Sequence, residues 1–305
     1  MVYFKKALAS VTALALTFSI HSANFYFYNK SDMDTASAAT HSQNVTKIND
    51  QTLDYLFPYV EVEKPIIPDT SKPDDESSGS TDSSDVPANM TYSNAEFAVF
   101  KGTYLEETAD AGESYFNDVL FCGDSLTYAL GLDSRYLKSH DVVAWGGLGV
   151  YDYLDYTSNP SYNQSEELKS PMEWISELNP SLMYIMLGTN GIAIWSNEMH
   201  IEYYRRMLAR ITAALPNTDI VLVGIPAWAS FKNTETFNGQ KVDNFNMMLL
   251  ELAHEKGLYY LNFGDVTRDE TGNFRQDLCG SDGIHWQDSC KKLYLNYIRT
   301  HSIKK

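Results

Sequence analysis

Five short apolar runs, each ended by polar or glycine-rich residues, constrain this chain more than any other feature. They lie at 118–123, 141–145, 181–187, 219–225 and 258–263. Such runs read as strands buried on both faces, the pattern of a parallel sheet. Amphipathic stretches separate them. Over 197–216, Ile201, Tyr204, Leu208, Ile211 and Leu215 recur at gaps of three and four, which is one face of a helix. Val242, Phe245, Leu249 and Leu252 do the same over 240–256, and Gly257 is a fitting stop. A last helix is expected over 288–300. Strand–helix alternation of this kind predicts an α/β fold: a single doubly wound domain whose five-stranded, mainly parallel sheet is flanked by helices in a flavodoxin-like order.

The remainder of the 305 residues reads differently. Lys5 and Lys6 precede an apolar run, Ala7 to Ile20, and small residues follow up to Ala23. Residues 1–23 therefore read as a signal peptide, with an uncleaved N-terminal anchor as the alternative. No cysteine follows the run, so a lipid anchor is not indicated. Residues 24–93 hold twelve acidic residues and four lysines, and include "PDTSKPDDESSGSTDSSDVPANM". Such a Ser/Asp/Pro-rich segment buries too little apolar surface to offset its ordering entropy and is expected to be a mostly disordered linker. It could tether the domain, 94–305, to a cell wall or membrane surface. The expected location is secreted or at the cell surface.

The net charge of −17 and the lack of a basic stripe argue against a nucleic-acid partner. No His/Cys group has zinc-ligand spacing, and neither metal nor cofactor is expected. There are three cysteines. Cys122 lies within an apolar strand and reads as a buried thiol. Cys279 and Cys290 are eleven residues apart; an exported protein could join them, and two free thiols are the alternative.

Open α/β sheets work beyond the carboxyl ends of their strands. After the first run comes Gly123-Asp124-Ser125. After the second comes "WGGLGV", with Gly146, Gly147 and Gly149. After the third comes Gly188-Thr189-Asn190-Gly191, and past the fifth comes "SDGIHW", with Asp282 and His285. Together these are the parts of an acyl-transfer site. A serine hydroxyl needs an adjacent base. His285 can take its proton and return it to the leaving group, and Asp282 can orient the imidazole. The Ser125 N–H, a glycine N–H and the Asn190 amide could hold the oxyanion. Each part alone has a plainer reading: a serine before a helix is usually an N-cap, and glycine pairs and asparagines usually make turns. Their conjunction, in this order, favours the site.

The blocks "FCGDSLTYAL", "VVAWGGLGV", "IMLGTNGI" and "SDGIHW" resemble the four blocks of the SGNH, or GDSL, hydrolases over about residues 115–300. The resemblance implies a serine esterase with Ser125 as nucleophile, Asp282 and His285 completing the triad, and Asn190 with a block-two glycine in the oxyanion hole. The second block departs from the common form in having Ala144 where an asparagine often stands. Counting from the strand favours Gly149 as the glycine donor, with Gly147 second.

Four of the five tryptophans fall near the strand ends: Trp145, Trp195, Trp228 and Trp286. Flat rings suit sugar faces, and filling the ends of the core is the plainer role. The expected substrate is an acylated small molecule or polysaccharide, with O-acetyl groups on carbohydrate leading. A lysophospholipase, a short-chain lipase and an acyltransferase are alternatives within chemistry. A non-catalytic glycan-binding surface module is the alternative outside it, and the complete set of site residues speaks against it.

Overall fold

A computed structural model of the protein describes residues 86–155 and 169–303. The expected export segment and most of the expected linker lie outside the described residues. All five expected strands form: β1 (Val119–Gly123), β2 (Val142–Ala144), β3 (Leu182–Met186), β4 (Asp219–Val223) and β5 (Tyr259–Leu261). They pair wholly in parallel in the order β2-β1-β3-β4-β5. The strand order reverses between β1 and β3, which places the crevice of a doubly wound fold there. All of β1 and β3 is buried, as strands covered on both faces must be.

Eight α-helices are described: α1 (Asn94–Phe97), α2 (Ser125–Gly131), α3 (Asp152–Asp155), α4 (Pro171–Leu178), α5 (Asn197–Ala214), α6 (Gly239–Lys256), α7 (Phe263–Val266) and α8 (Asp288–Thr300). Their ends follow local chemistry. Ser170 and Glu173 form a capping box with Pro171 at the first helical position. Ser196 and Asn238 cap α5 and α6, and Gly257 ends α6 in the left-handed conformation at φ +65°. Among the described residues no helix is long and apolar enough to cross a membrane.

One finding departs from expectation. The folded part begins before residue 94: Asn89 is buried and exchanges two amide hydrogen bonds with Asn262 (3.1 and 3.0 Å), and the Tyr92 hydroxyl donates to Glu251 (2.9 Å). The chain then runs beside β5, where Tyr260 N–H donates to Thr103 (2.8 Å) and Leu105 N–H to Tyr260 (2.9 Å), covering an edge that would otherwise invite pairing. All three cysteines are free and buried, so of the two readings of Cys279 and Cys290 the structure has the free thiols.

Side chains close the backbone groups that leave the sheet at the strand ends. The Tyr153 hydroxyl lies between the carbonyls of Gly123 (3.1 Å) and Val143 (2.8 Å), tying β1 to β2. The Tyr204 hydroxyl accepts from Leu187 N–H (3.1 Å) and donates to Leu187 C=O (2.8 Å). The Asn246 amide does the same for Ile225, at 2.9 Å each way. Gly123 must be glycine: a Cβ there would lie 2.0 Å from Thr127 Oγ1 and 2.8 Å from the Met186 carbonyl.

Asp124 then caps α2, its Oδ1 accepting from Leu126 N–H (3.0 Å). The residue is only 1% exposed. Burial raises its carboxyl to about 6, opposed by the Leu126 N–H, the proximity of His285 and the Thr189 hydroxyl. The raised value means that the native state keeps a proton which the unfolded chain gives up between about pH 4 and 6, so stability is lost as pH rises through that window. The difference from an ordinary aspartate corresponds to about 3 kcal/mol at neutral pH. Asp124→Asn retains the acceptor for Leu126 and removes the buried charge. It is expected to raise the melting temperature at pH 7.5 by roughly 5–10 °C, with the gain vanishing near pH 4. An equal gain at both pH values in thermal melts would show that burial of the charge is not its source.

Candidate active site

Ser125 is the first residue of α2, and Asp124 is its N-cap. The serine is therefore not required as a cap, which removes the plainer reading of its position. Its side chain turns elsewhere: Ser125 Oγ lies 3.0 Å from His285 Nε2. His285 Nδ1 lies 2.5 Å from Asp282 Oδ2. The other oxygen, Oδ1, accepts from the N–H groups of Ile284 and His285, both at 3.0 Å. This loop folds back on itself because Gly283, at φ +74°, allows the turn between acid and base. Burial would raise the Asp282 carboxyl, but hydrogen bonds from the His285 ring and from those two N–H groups outweigh it and hold it below the usual range. The acid therefore stays charged opposite the imidazole. Ser125 is 6% exposed, whereas the side chains of His285 and Asp282 are 36% and 46% exposed. Ser125 lies at the floor, and His285 and Asp282 form an open wall.

Asn190 follows β3 on the far side of the crevice and is half-buried. Its amide donates to the Leu148 carbonyl (2.9 Å), joining the third block to the second. An amide carries two hydrogens, so this bond orients the group and leaves one for a ligand. Gly191 is glycine because the ring of His200 lies beneath it: a Cβ would meet His200 Cε1 at 2.8 Å and Trp195 Cε3 at 3.2 Å. Burial pushes His200 down to about 3, aided by nearby Lys241, so this histidine is a neutral packing element.

The glycine donor differs from expectation. The Gly149 N–H donates to Asp152 Oδ2 (2.6 Å), because Asp152 opens α3 and its carboxylate reaches back across three residues. In this conformation the Gly149 N–H is engaged within the fold. Gly147, at φ +81°, makes the turn that only glycine adopts readily.

The four tryptophans part company. Trp286 is not a rim residue. It is 7% exposed and packs on Phe263 (5.4 Å) and Tyr294 (5.2 Å), because a backbone bridge to Cys279 turns it inward. Trp228 is half-buried against Phe237 (4.1 Å), with its indole nitrogen buried. Trp145 and Trp195 are half-buried too. Trp145 packs on Tyr128 (5.2 Å). Trp195 packs on Tyr203 (4.8 Å), which in turn meets Tyr151 (5.5 Å). Asp124 and Asp152 were not singled out from the sequence. The Gly-Asp-Ser order contained the cap signal for the first, while nothing local marks the second. Among the described residues no group of acidic, histidine or cysteine side chains could hold a metal ion.

A search of curated proteins found no match. Solved structures similar to this chain include a GDSL-like lipase from Bacteroides thetaiotaomicron, at 15% identity over 62% of this chain and 89% of that one, with a TM-score of 0.46. A carbohydrate esterase family 3 protein from Talaromyces cellulolyticus shares 16% identity over 59% and 93%, with a TM-score of 0.42. An acetylxylan esterase from Geobacillus stearothermophilus, in a catalytic-mutant form, shares 13% over 66% and 97%, with a TM-score of 0.43. The model of the GDSL-like lipase/acylhydrolase family matches residues 121–290. That span is more than half of the chain and holds Ser125, Asn190, Asp282 and His285. The chain belongs to the GDSL-like lipase/acylhydrolase family and is an ester-cleaving serine hydrolase.

Proposed function

We propose that the protein is an exported esterase that removes O-acetyl groups from carbohydrate through a Ser125–His285–Asp282 triad. The observation that carries the mechanism is the unbroken relay from Ser125 Oγ to His285 Nε2 (3.0 Å) and from His285 Nδ1 to Asp282 Oδ2 (2.5 Å). As Ser125 Oγ attacks the ester carbonyl carbon, its proton passes to His285 Nε2. Asp282 stabilises the imidazolium. The carbonyl oxygen takes the negative charge and is met by the Ser125 N–H, which as the first helical residue has no intrahelical acceptor, and by the Asn190 amide. A block-two N–H, from Gly147 or a released Gly149, is the third donor. Collapse breaks the bond to the alcohol, whose oxygen receives the proton from His285. Water, deprotonated by the same imidazole, then attacks the acyl-serine and releases acetate.

The choice of acyl group and alcohol rests on the walls of the site. Trp195 lies by the third block, where a Cβ on Gly191 would meet its Cε3 at 3.2 Å, and aromatic bulk there favours a short acyl group. Half-buried Trp145 keeps part of an aromatic ring open, which suits a sugar face. The charged, apolar and small-residue sequence of 1–23 and the acidic linker support export and a tether at the surface.

Ser125→Ala is expected to abolish acetate release from acetylated polysaccharide while leaving the circular dichroism spectrum and melting temperature near wild type; residual wild-type turnover would remove Ser125 as nucleophile. Asn190→Ala is expected to lower kcat by roughly 10²–10³-fold, the usual loss for one oxyanion donor, and an unchanged kcat would exclude it. A histidine base must be neutral to take the serine proton, so kcat/KM is expected to fall on the acid side. A rate flat down to about pH 4 would rule out a histidine base. Comparison of p-nitrophenyl esters of rising chain length decides between acetyl and long acyl groups, with preference for long chains moving the reading to lipids.

A further inference from the structure

We propose that Phe231 is the platform for the alcohol half of the ester, the sugar ring from which the acetyl group is removed; this rests on the carbohydrate esterase reading above. Phe231 lies in the loop after β4, in a single 3-10 turn, Ser230–Lys232. Its ring is 61% exposed. Isolated exposed apolar residues are common and decide nothing by themselves. The placement of this one does. Ala229 N–H donates to the Gly283 carbonyl (2.9 Å), which fastens the β4 loop to the loop bearing Asp282 and His285. A Cβ at Gly283 would lie 2.6 Å from Phe231 Cζ and 2.9 Å from the Ala229 methyl. The aromatic ring thus fills the space over the residue between the acid and the base.

The direction of proton transfer says which part of the substrate meets it. Asn190 and the Ser125 N–H hold the carbonyl oxygen, so the acyl group lies on their side. His285 Nε2 hands its proton to the leaving oxygen, so the alcohol lies beside the His285 loop. A side chain flanking that loop contacts the alcohol and not the acyl group. This flank is also open, since the Asp282 side chain is 46% exposed, as a polymeric alcohol requires. A flat, pinned ring offers an apolar face to the C–H groups of a sugar. Lys232 Nζ, 5.9 Å from the ring centroid, adds a donor at its side for hydroxyl or carboxylate groups. The tryptophans alone do not supply this contact, since Trp286, the one nearest His285 in sequence, is buried.

The test compares two acetate esters that differ only in the alcohol, an O-acetylated xylotriose and ethyl acetate, with the full-length protein and its Phe231→Ala and Phe231→Trp variants. Phe231→Ala is expected to lower the ratio of kcat/KM for the sugar ester over ethyl acetate by about tenfold, mainly through KM, as loss of one aromatic contact predicts. Phe231→Trp should keep the ratio near wild type. Equal losses on both esters would mean that Phe231 merely positions the triad loop and would overturn the proposal, as would an unchanged ratio. Wild-type enzyme with no preference for the sugar ester would sink the carbohydrate reading and the sugar platform with it. A wild-type preference that Phe231→Ala retains would sink the role of Phe231 alone.

Discussion

A parallel sheet must stop somewhere, and the backbone groups that leave its ladder must still be satisfied. Much of this structure follows from how that is done. Tyr153, Tyr204 and Asn246 each reach back from a later segment to bond the chain just at or beyond β1, β3 and β4. Past β5 the Asn262 side chain pairs instead with the side chain of Asn89. The turns leaving the strand ends are thereby held in place, and a rim held in this way can carry chemistry.

The division of labour at β1 shows the benefit. Asp124 takes the capping role and accepts the cost of a buried carboxylate. Ser125 is thereby left with its hydroxyl directed at His285. Charge is placed differently at Asp282, where three donors hold the carboxyl ionised beside the imidazole. The two aspartates flank one histidine with opposite displacements of their acidity, one set chiefly by desolvation and the other by hydrogen bonds. A further carboxylate, Asp152 at the start of α3, grips the Gly149 N–H, so a backbone group that the sequence offers for an oxyanion is bonded within the fold.

The strands and the long helices were legible because their signals are short-range: unbroken apolar runs, gaps of three and four, and the stop at Gly257; the sheet order followed from the α/β fold class that their alternation implies. Ser125, Asn190, Asp282 and His285 were legible for a related reason. A parallel fold delivers whatever follows its strands to one rim, so position along the chain implies proximity in space. The start of the folded part was less legible, since the Asn89–Asn262 pair spans 173 residues and leaves no periodic trace.

What the sequence by itself determined is therefore the architecture and the chemical cast, both written in local patterns that backbone geometry converts into position. Only the tertiary structure decided how individual side chains are spent. It turned Trp286 into the core while leaving Trp145 and Trp195 half-buried, bound Gly149 to Asp152, left Cys279 and Cys290 unjoined, and set Phe231 against the loop of Asp282 and His285. The physical reason is the same in each case: a side chain's direction and its partners depend on contacts between segments distant in sequence, and residue type alone does not specify them.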